Sequence, residues 1–347
     1  MDEYLFERLI NDYYLSQSRY SVHSTEISIH WQQYEVSKEH KFTHSDLENF
    51  RHFNRVFSSN GQDNATKFDF QYLAECVNLC GEEFVLSNLL DSNPGNSKES
   101  YLFFGRYFEK SRLQHIIFYK TLLDFISEEV LSNNFKVVCE IGGGFGSLAS
   151  IILKNHNVKY ILIDLPRANL QQHYYLKSIF PEKKFFTISD MKTNSLTLDM
   201  LRSHDIFILP SFIDLSESLE VDLFINTRSF MEMNKVTIKK YFSMIQSSIS
   251  ESGFFLNVNR YEKIWSDSPI RFSEYPYDQQ WYVKYSAKEF GEPHIHVLLT
   301  QRLSRPGNIQ KELENIDSAG KVFYFTPNLL RVVAKKLLIW LKIRRKR

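Results

Sequence analysis

The chain divides by the spacing of its apolar residues. In the first 132 residues, stretches such as YLFERLINDYYL, SDLENFRHFNRVF, FDFQYLAECVNL and LQHIIFYKTLLDFISEEVL place apolar side chains three and four apart, the period of a helix with one buried face. Ser45 and Asp46 stand where a cap for the second stretch is expected, and the turn-forming pieces SSNGQDNAT and LLDSNPGNSKES separate the helices. From NNFKVVCEI onward the period changes. An apolar run closes on glycines, SLASIILKNH reads as a helix and VKYILIDLP as a second buried strand, a strand-helix-strand unit that calls for a parallel sheet. Further runs in HDIFILPS, VDLFINTRSF, GFFLNVNRY, WYVKYSAKEF and HIHVLLTQRL follow, with helical NKVTIKKYFSMIQSSISES between the second and third. Together they predict an α/β fold with a Rossmann-like sheet of about seven strands, mostly parallel, with the last strand antiparallel and paired as a hairpin at the sheet's end. Three parts follow: a mainly helical N-terminal region (1–132), an α/β domain (133–305) and a C-terminal extension (306–347).

Ligands on such sheets bind beyond the carboxyl ends of the strands, and the glycine cluster of VVCEIGGGFGSLASIILKNHNVKYILIDLP falls there. Gly142, Gly143, Gly144 and Gly146 allow a sharp turn that brings bare backbone against a ligand, with a helix N-terminus behind it. A dinucleotide fingerprint requires a sixth-position glycine where Ser147 stands; the pattern is instead E-x-G-x-G-x-G, from Glu140 to Gly146. Glu140 would repel a pyrophosphate and attract a ligand carrying an ammonium and a sulfonium. Asp164, ending the second strand, is placed to accept hydrogen bonds from a ribose diol. S-adenosylmethionine satisfies both acids and NAD only one.

With these residues the sequence resembles the class I S-adenosylmethionine-dependent methyltransferases, whose first motif is E/D-x-G-x-G-x-G. More narrowly, EIGGGFGSLA, YILIDLP, VDLFINTRSFMEM and YPYDQQW are similar to the sugar O-methyltransferase family found in bacterial surface-polysaccharide gene clusters. The resemblance implies that Glu140 lies near the methionine amino group and that Gly142, Gly144 and Gly146, with Gly143 in the same turn, line the methionine and ribose. Asp164 would bind the ribose hydroxyls, and Leu165 beside it would belong to the same cofactor site. The adenine contact falls to Asp190, after FFTIS, or to Ser211, after IFILP; Ser211 is favoured, because the short link to VDLFIN suggests consecutive strands. Asn226, closing that next strand, should approach the methyl group.

Methyl transfer to a hydroxyl needs alignment and a proton acceptor. His294 and His296 open the antiparallel strand at the carboxyl edge and, two apart, point the same way; Glu232 in SFMEM is the other candidate. Arg228, Asn259, Arg260, Tyr275, Asp278 and Trp281 are candidate liners of an acceptor pocket. No carboxylate cluster defines a metal site, so metal independence is expected. A nicotinamide-dependent sugar oxidoreductase is the rival enzyme, opposed by Glu140, Ser147 and the lack of a nearby Tyr-x-x-x-Lys. A non-catalytic, membrane-tethered scaffold of a glycan assembly is the rival from another class.

Composition adds bounds. With 347 residues, 43% of them apolar and 24% charged, the chain can bury a sizeable core. The three cysteines, Cys76, Cys80 and Cys139, are too few for a disulfide framework and fit a reducing cytoplasm. The acidic, aromatic start lacks the basic flank and apolar stretch of a signal peptide, and no run reaches the roughly 20 apolar residues of a membrane span. From Arg331 to Arg347 there are eight Lys and Arg and no acid, which leaves 34 of the 42 basic residues against all 41 acids in residues 1–330. A body of that sign is no footprint for nucleic acid. The tail, Asn328–Arg347, reads as a basic amphipathic helix drawn to anionic lipid. The expected setting is cytoplasmic, peripheral on the inner membrane face, with a sugar, nucleotide-sugar or lipid-linked glycan as acceptor.

Overall fold

The computed structural model describes residues 2–20, 41–53, 67–126, 136–263 and 269–321. The basic tail, Asn328–Arg347, and Trp265 of the insert before YPYDQQW lie outside the described residues.

Among its described residues the N-terminal region is mainly helical: α1 (Glu3–Tyr20), short helices at His44–Glu48 and Phe50–Phe53, α2 (Lys67–Cys80), a further short helix at Glu82–Asn88, and α3 (Lys110–Ile126). Thr43 rather than Ser45 caps the His44–Glu48 helix. Its hydroxyl and the Asp46 carboxylate satisfy each other's backbone N–H in a capping box. A small antiparallel hairpin, Tyr101–Phe103 with Arg106–Phe108, interrupts the helical run.

The α/β part follows as β1 (Val137–Ile141), α4 (Ser147–Asn155), β2 (Lys159–Asp164), α5 (Pro166–Ile179), β3 (Phe185–Phe186), β4 (Ile206–Pro210), β5 (Val221–Thr227), α6 (Lys235–Ser248), β6 (Ile249–Arg260), β7 (Trp281–Glu289), β8 (Glu292–Arg302) and a last helix, α7, over 309–321. The main sheet has eight strands in the order β7-β8-β6-β5-β1-β2-β4-β3. The eighth is the two-residue β3, which extends the edge beside β4. β8 is antiparallel to both neighbours and sits between β6 and β7, so the hairpin closes inward rather than adding an antiparallel edge.

All five residues of β1 are buried, because helices cover both faces. Val138 shares its face with Leu148, Ile151, Tyr175 and Leu176, whereas Cys139 and Ile141 share the other with Phe242, Ile245 and Ile309. Strand order reverses at β1, with β2 on one side and β5 on the other. That reversal opens a crevice at the carboxyl edge, where the glycine turn begins.

Several contacts bind the helical region to this edge. From α1, Arg8 pairs with Asp190 at 2.7 Å, and Leu9 and Tyr13 form a small core with Leu170 of α5. Arg51 forms a buried ion pair with Glu109, and its guanidinium lies 4.8 Å above the Phe145 ring inside the glycine turn. Arg112 of α3, fully enclosed, donates to the Ser147 carbonyl at 2.8 Å and the Ser150 hydroxyl at 2.6 Å in the first turn of α4.

Leu148 is completely buried beneath that turn, so Leu148→Ala should lower unfolding free energy by about 2–5 kcal/mol. Leu102→Ala, on the exposed hairpin, should change it by less than about 0.5 kcal/mol. Denaturant midpoints of the two variants check both.

Candidate active site

The turn from β1 into α4 is shaped by close approach. Gly142 has φ +71°, and a Cβ there would overlap the Ser229 side chain from the segment after β5. A Cβ on Gly143 would stand 2.8 Å from Cδ of Glu140. Only bare backbone fits between the two. Gly146 immediately precedes α4.

Two acids hold this turn. Glu140, 1% exposed, lies beneath it and accepts a hydrogen bond from the Tyr160 hydroxyl at 2.9 Å. Burial pushes its carboxyl up to about 7, opposed by the Tyr160 bond and helped by the nearby Asp164 charge. Asp164 accepts from the Gly144 N–H at 3.1 Å, the Leu165 N–H at 2.8 Å and the Gln172 amide at 3.0 Å. Gln172 also donates to the Gly144 carbonyl at 2.9 Å. It is a residue that the sequence did not announce, since no motif marks a glutamine in the second turn of α5.

Ser211 follows β4 at the same edge, half-buried. Asp190 is turned away: it caps a short 3-10 turn at Thr187 and pairs with Arg8. Asn226 is fully buried, and its amide is engaged on every side. It donates to the Ile141 carbonyl at 2.8 Å and to Ser229 Oγ, and accepts from the Phe230 N–H at 3.1 Å and the Asn259 amide at 2.8 Å. Its position is that of a strut between β1, β5 and β6, rather than of a group facing an open methyl site.

The acceptor candidates separate by strand polarity. Arg228 follows β5, Arg260 ends β6, Glu232 lies in the turn at 230–232 and His294 opens β8, so all four stand at the carboxyl edge. They are joined there by Lys110 of α3, Glu289 at the end of β7 and Glu292 at the start of β8. Arg228 pairs with Glu289 and Lys110 with Glu292 at 2.9 Å. His294 approaches Glu292 at 3.7 Å. Burial and the Arg260 charge hold its imidazole below the usual histidine range.

The other candidates are placed elsewhere. His296 is 4% exposed, with its ring nitrogens on the Tyr261 hydroxyl at 3.0 Å and the Ser286 hydroxyl at 2.9 Å. Burial pushes its pKa down to about 3, so it is an interior ring and not a base at the rim. Asn259 is buried, bonded to Asn226, Asn257 and the Met231 N–H. Tyr275 and Trp281 belong to the aromatic core with Phe242 and Phe255. Trp281 begins β7 and Asp278 precedes it; both therefore lie at the opposite edge of the sheet, where Asp278 pairs with Arg302. All three cysteines are buried. Among the described residues no group of three or more His, Cys, Asp or Glu is arranged to hold a metal ion, and no helix is long and apolar enough to cross a membrane.

No protein-family model and no curated protein matches the chain. Solved structures similar to it include the mitomycin 7-O-methyltransferase MmcR, 12% identical over 56% of this chain and 57% of that one, with a TM-score of 0.32. A SAM dependent methyltransferase from Aquifex aeolicus is 14% identical over 56% of this chain and 94% of its own, with a TM-score of 0.35. An RNA methyltransferase from Salinibacter ruber, in complex with S-adenosyl-L-homocysteine, is 8% identical over 54% and 92%, with a TM-score of 0.32. The chain thus spans little more than half the length of MmcR.

The raised carboxyl of Glu140 has a signed consequence. The folded chain keeps this proton up to about pH 7, whereas the unfolded chain releases it near pH 4.5. Its contribution to stability is therefore present at low pH and falls as pH rises from 4.5 through 7. Glu140→Gln should remove a slope worth on the order of 3 kcal/mol across that window, read from denaturant unfolding at several pH values.

Proposed function

We propose that the chain is an S-adenosylmethionine-dependent O-methyltransferase acting on a hydroxyl of a sugar. The observation that carries this reading is the pair of acids around the glycine turn, Glu140 beneath it and Asp164 bonded to its backbone. A pyrophosphate seeks free N–H groups at such a turn, yet the Gly144 N–H is given to a carboxylate. The donor set suits a cationic, hydroxyl-bearing nucleoside. When bound, S-adenosylmethionine supplies a methyl on a sulfonium, an electrophile whose departure leaves a neutral thioether.

The chain's own residues divide the remaining work. The backbone of Gly142–Gly146 would hold the methionine and ribose, Asp164 the ribose hydroxyls, and Leu165 and Ser211 the base. Asp164 contributes negative potential at the turn, and Glu140 adds to it once ionised, favouring an ammonium over a phosphate. His294, kept neutral by its burial and by Arg260, is able to accept the acceptor hydroxyl's proton at Nε2, and Glu292 beside it would stabilise the imidazolium formed. Glu232 is the second group at this edge suited to that task or to holding a sugar hydroxyl. Asn226 and Ser229 fix the segment after β5 against the carbonyl that ends β1.

The sugar acceptor rests on the resemblance of EIGGGFGSLA, YILIDLP and VDLFINTRSFMEM to the surface-polysaccharide enzymes. The eight cations of the last 17 residues support a setting at an anionic inner membrane face, where a lipid-linked glycan would be at hand.

Calorimetric titration tests the reading first. S-adenosylmethionine and its demethylated product should bind, NAD should not, and Gly142→Ala should weaken both ligands at least about tenfold while circular dichroism stays unchanged. Binding of NAD alone, or of nothing, defeats the proposal. In the presence of an accepted sugar, His294→Asn should lower kcat by about 10²–10⁴ without changing affinity for the demethylated product. For the tail, removing Asn328–Arg347 should abolish co-sedimentation with anionic vesicles; unchanged co-sedimentation removes it as the anchor.

A further inference from the structure

Around His294, at the carboxyl edge of β5, β6, β7 and β8, stand three permanent cations, Arg228, Arg260 and Lys110, with the acids Glu289 and Glu292; Glu232, on the turn at 230–232, is a third acid of this edge. Glu289 takes Arg228 and Glu292 takes Lys110. No described residue pairs with the Arg260 guanidinium, and its Nε, although buried, has no hydrogen-bond partner. Nε of Arg228 is in the same state.

An unmatched acceptor stands in the same ion pair as Nε of Arg228. The Glu289 side chain is 2% exposed; one of its oxygens meets Arg228, and the other, Oε2, is buried without a partner. Leaving such groups unsatisfied costs on the order of 1–3 kcal/mol each, more when charged. Each such group calls for an explanation, a ligand, ion or water that completes it being one. The strand ends confine these groups to the edge that also carries the glycine turn, and Ser229, next to Arg228, packs against Gly142 itself.

We propose that the acceptor is an anionic sugar, one bearing a carboxylate or phosphate that Arg260 and Nε of Arg228 receive while a neighbouring hydroxyl donates to Oε2 of Glu289. This rests on the methyltransferase reading for the word acceptor, but the binding claim concerns the edge alone. A neutral sugar would leave Arg260 unpaired; a bare anion would leave Glu289 without a donor. A guanidinium is suited to both carboxylate and phosphate oxygens, through two parallel hydrogen bonds. Glu289 thereby becomes a specificity residue that sequence inspection missed. It stands at the end of a strand, 61 positions from the arginine it meets.

The test uses the full-length chain, with and without saturating S-adenosylhomocysteine. Four probes are titrated by calorimetry or ligand-observed NMR: methyl glucoside, methyl glucuronide, glucose 1-phosphate and inorganic phosphate. At least one anionic sugar should bind at least about tenfold more tightly than the neutral glucoside. Arg260→Gln should erase that preference with the S-adenosylhomocysteine affinity unchanged. Glu289→Gln should weaken the anionic sugar but not inorganic phosphate. Preference for the carboxylate or for the phosphate probe tells a uronic acid from a phosphorylated sugar. Equal binding of the neutral glucoside, a preference that survives Arg260→Gln, or no binding of either anionic sugar up to about 10 mM overturns the proposal. Should S-adenosylhomocysteine fail to bind while the Arg260-dependent preference holds, the methyltransferase reading falls and the anion site stands.

Discussion

The carboxyl edge of the sheet is organised by one carboxylate. Asp164 ends β2 and receives the N–H of Gly144, the N–H of Leu165 and the amide of Gln172, so one charge fixes the glycine turn, the strand end and α5 together. Hydrogen bonds to a charged group are worth more than neutral ones, about 1.5–3 kcal/mol each, which is enough to hold a turn whose glycines have given up much conformational entropy. The same turn is bounded from below by Glu140, whose burial and proximity to Asp164 raise its affinity for a proton. The function proposed above rests on this setting, since acids around a turn disfavour a phosphate.

The parts of this arrangement that are local in sequence were legible there. The change of apolar period at residue 136, the glycines after a buried run and an acid closing the next run are short-range patterns, and the strand-helix-strand unit they predict is the centre of the sheet. The parts that depend on strand polarity and depth were not legible. The spacing of His294 and His296 places both on one face but does not say that the second lies inside, between Tyr261 and Ser286. YPYDQQW has the composition of a sugar site, yet Trp281 begins its strand and belongs to the core. The two-residue β3 is too short to carry a period.

Long-range charge pairs form the third category. Lys110 and Glu292 are 182 positions apart, and nothing in either neighbourhood marks the other as its partner. The helical N-terminal region enters the site in the same hidden way, through Lys110 at the start of α3 and through Arg51. The apolar spacing of this region therefore predicted helices without showing which residues touch the sheet.

The Arg51–Glu109 pair carries a consequence for how this architecture can change. A buried ion pair is costly to break from one side, about 3–5 kcal/mol when a single partner is removed, and here one partner also lies over Phe145 in the glycine turn. Both partners belong to the helical region, so what ties that region to the glycine turn here is the Arg51 guanidinium lying over Phe145, held in place by Glu109. Any replacement for the helical region has to bring its own group to cover Phe145 if the turn is to keep its packing.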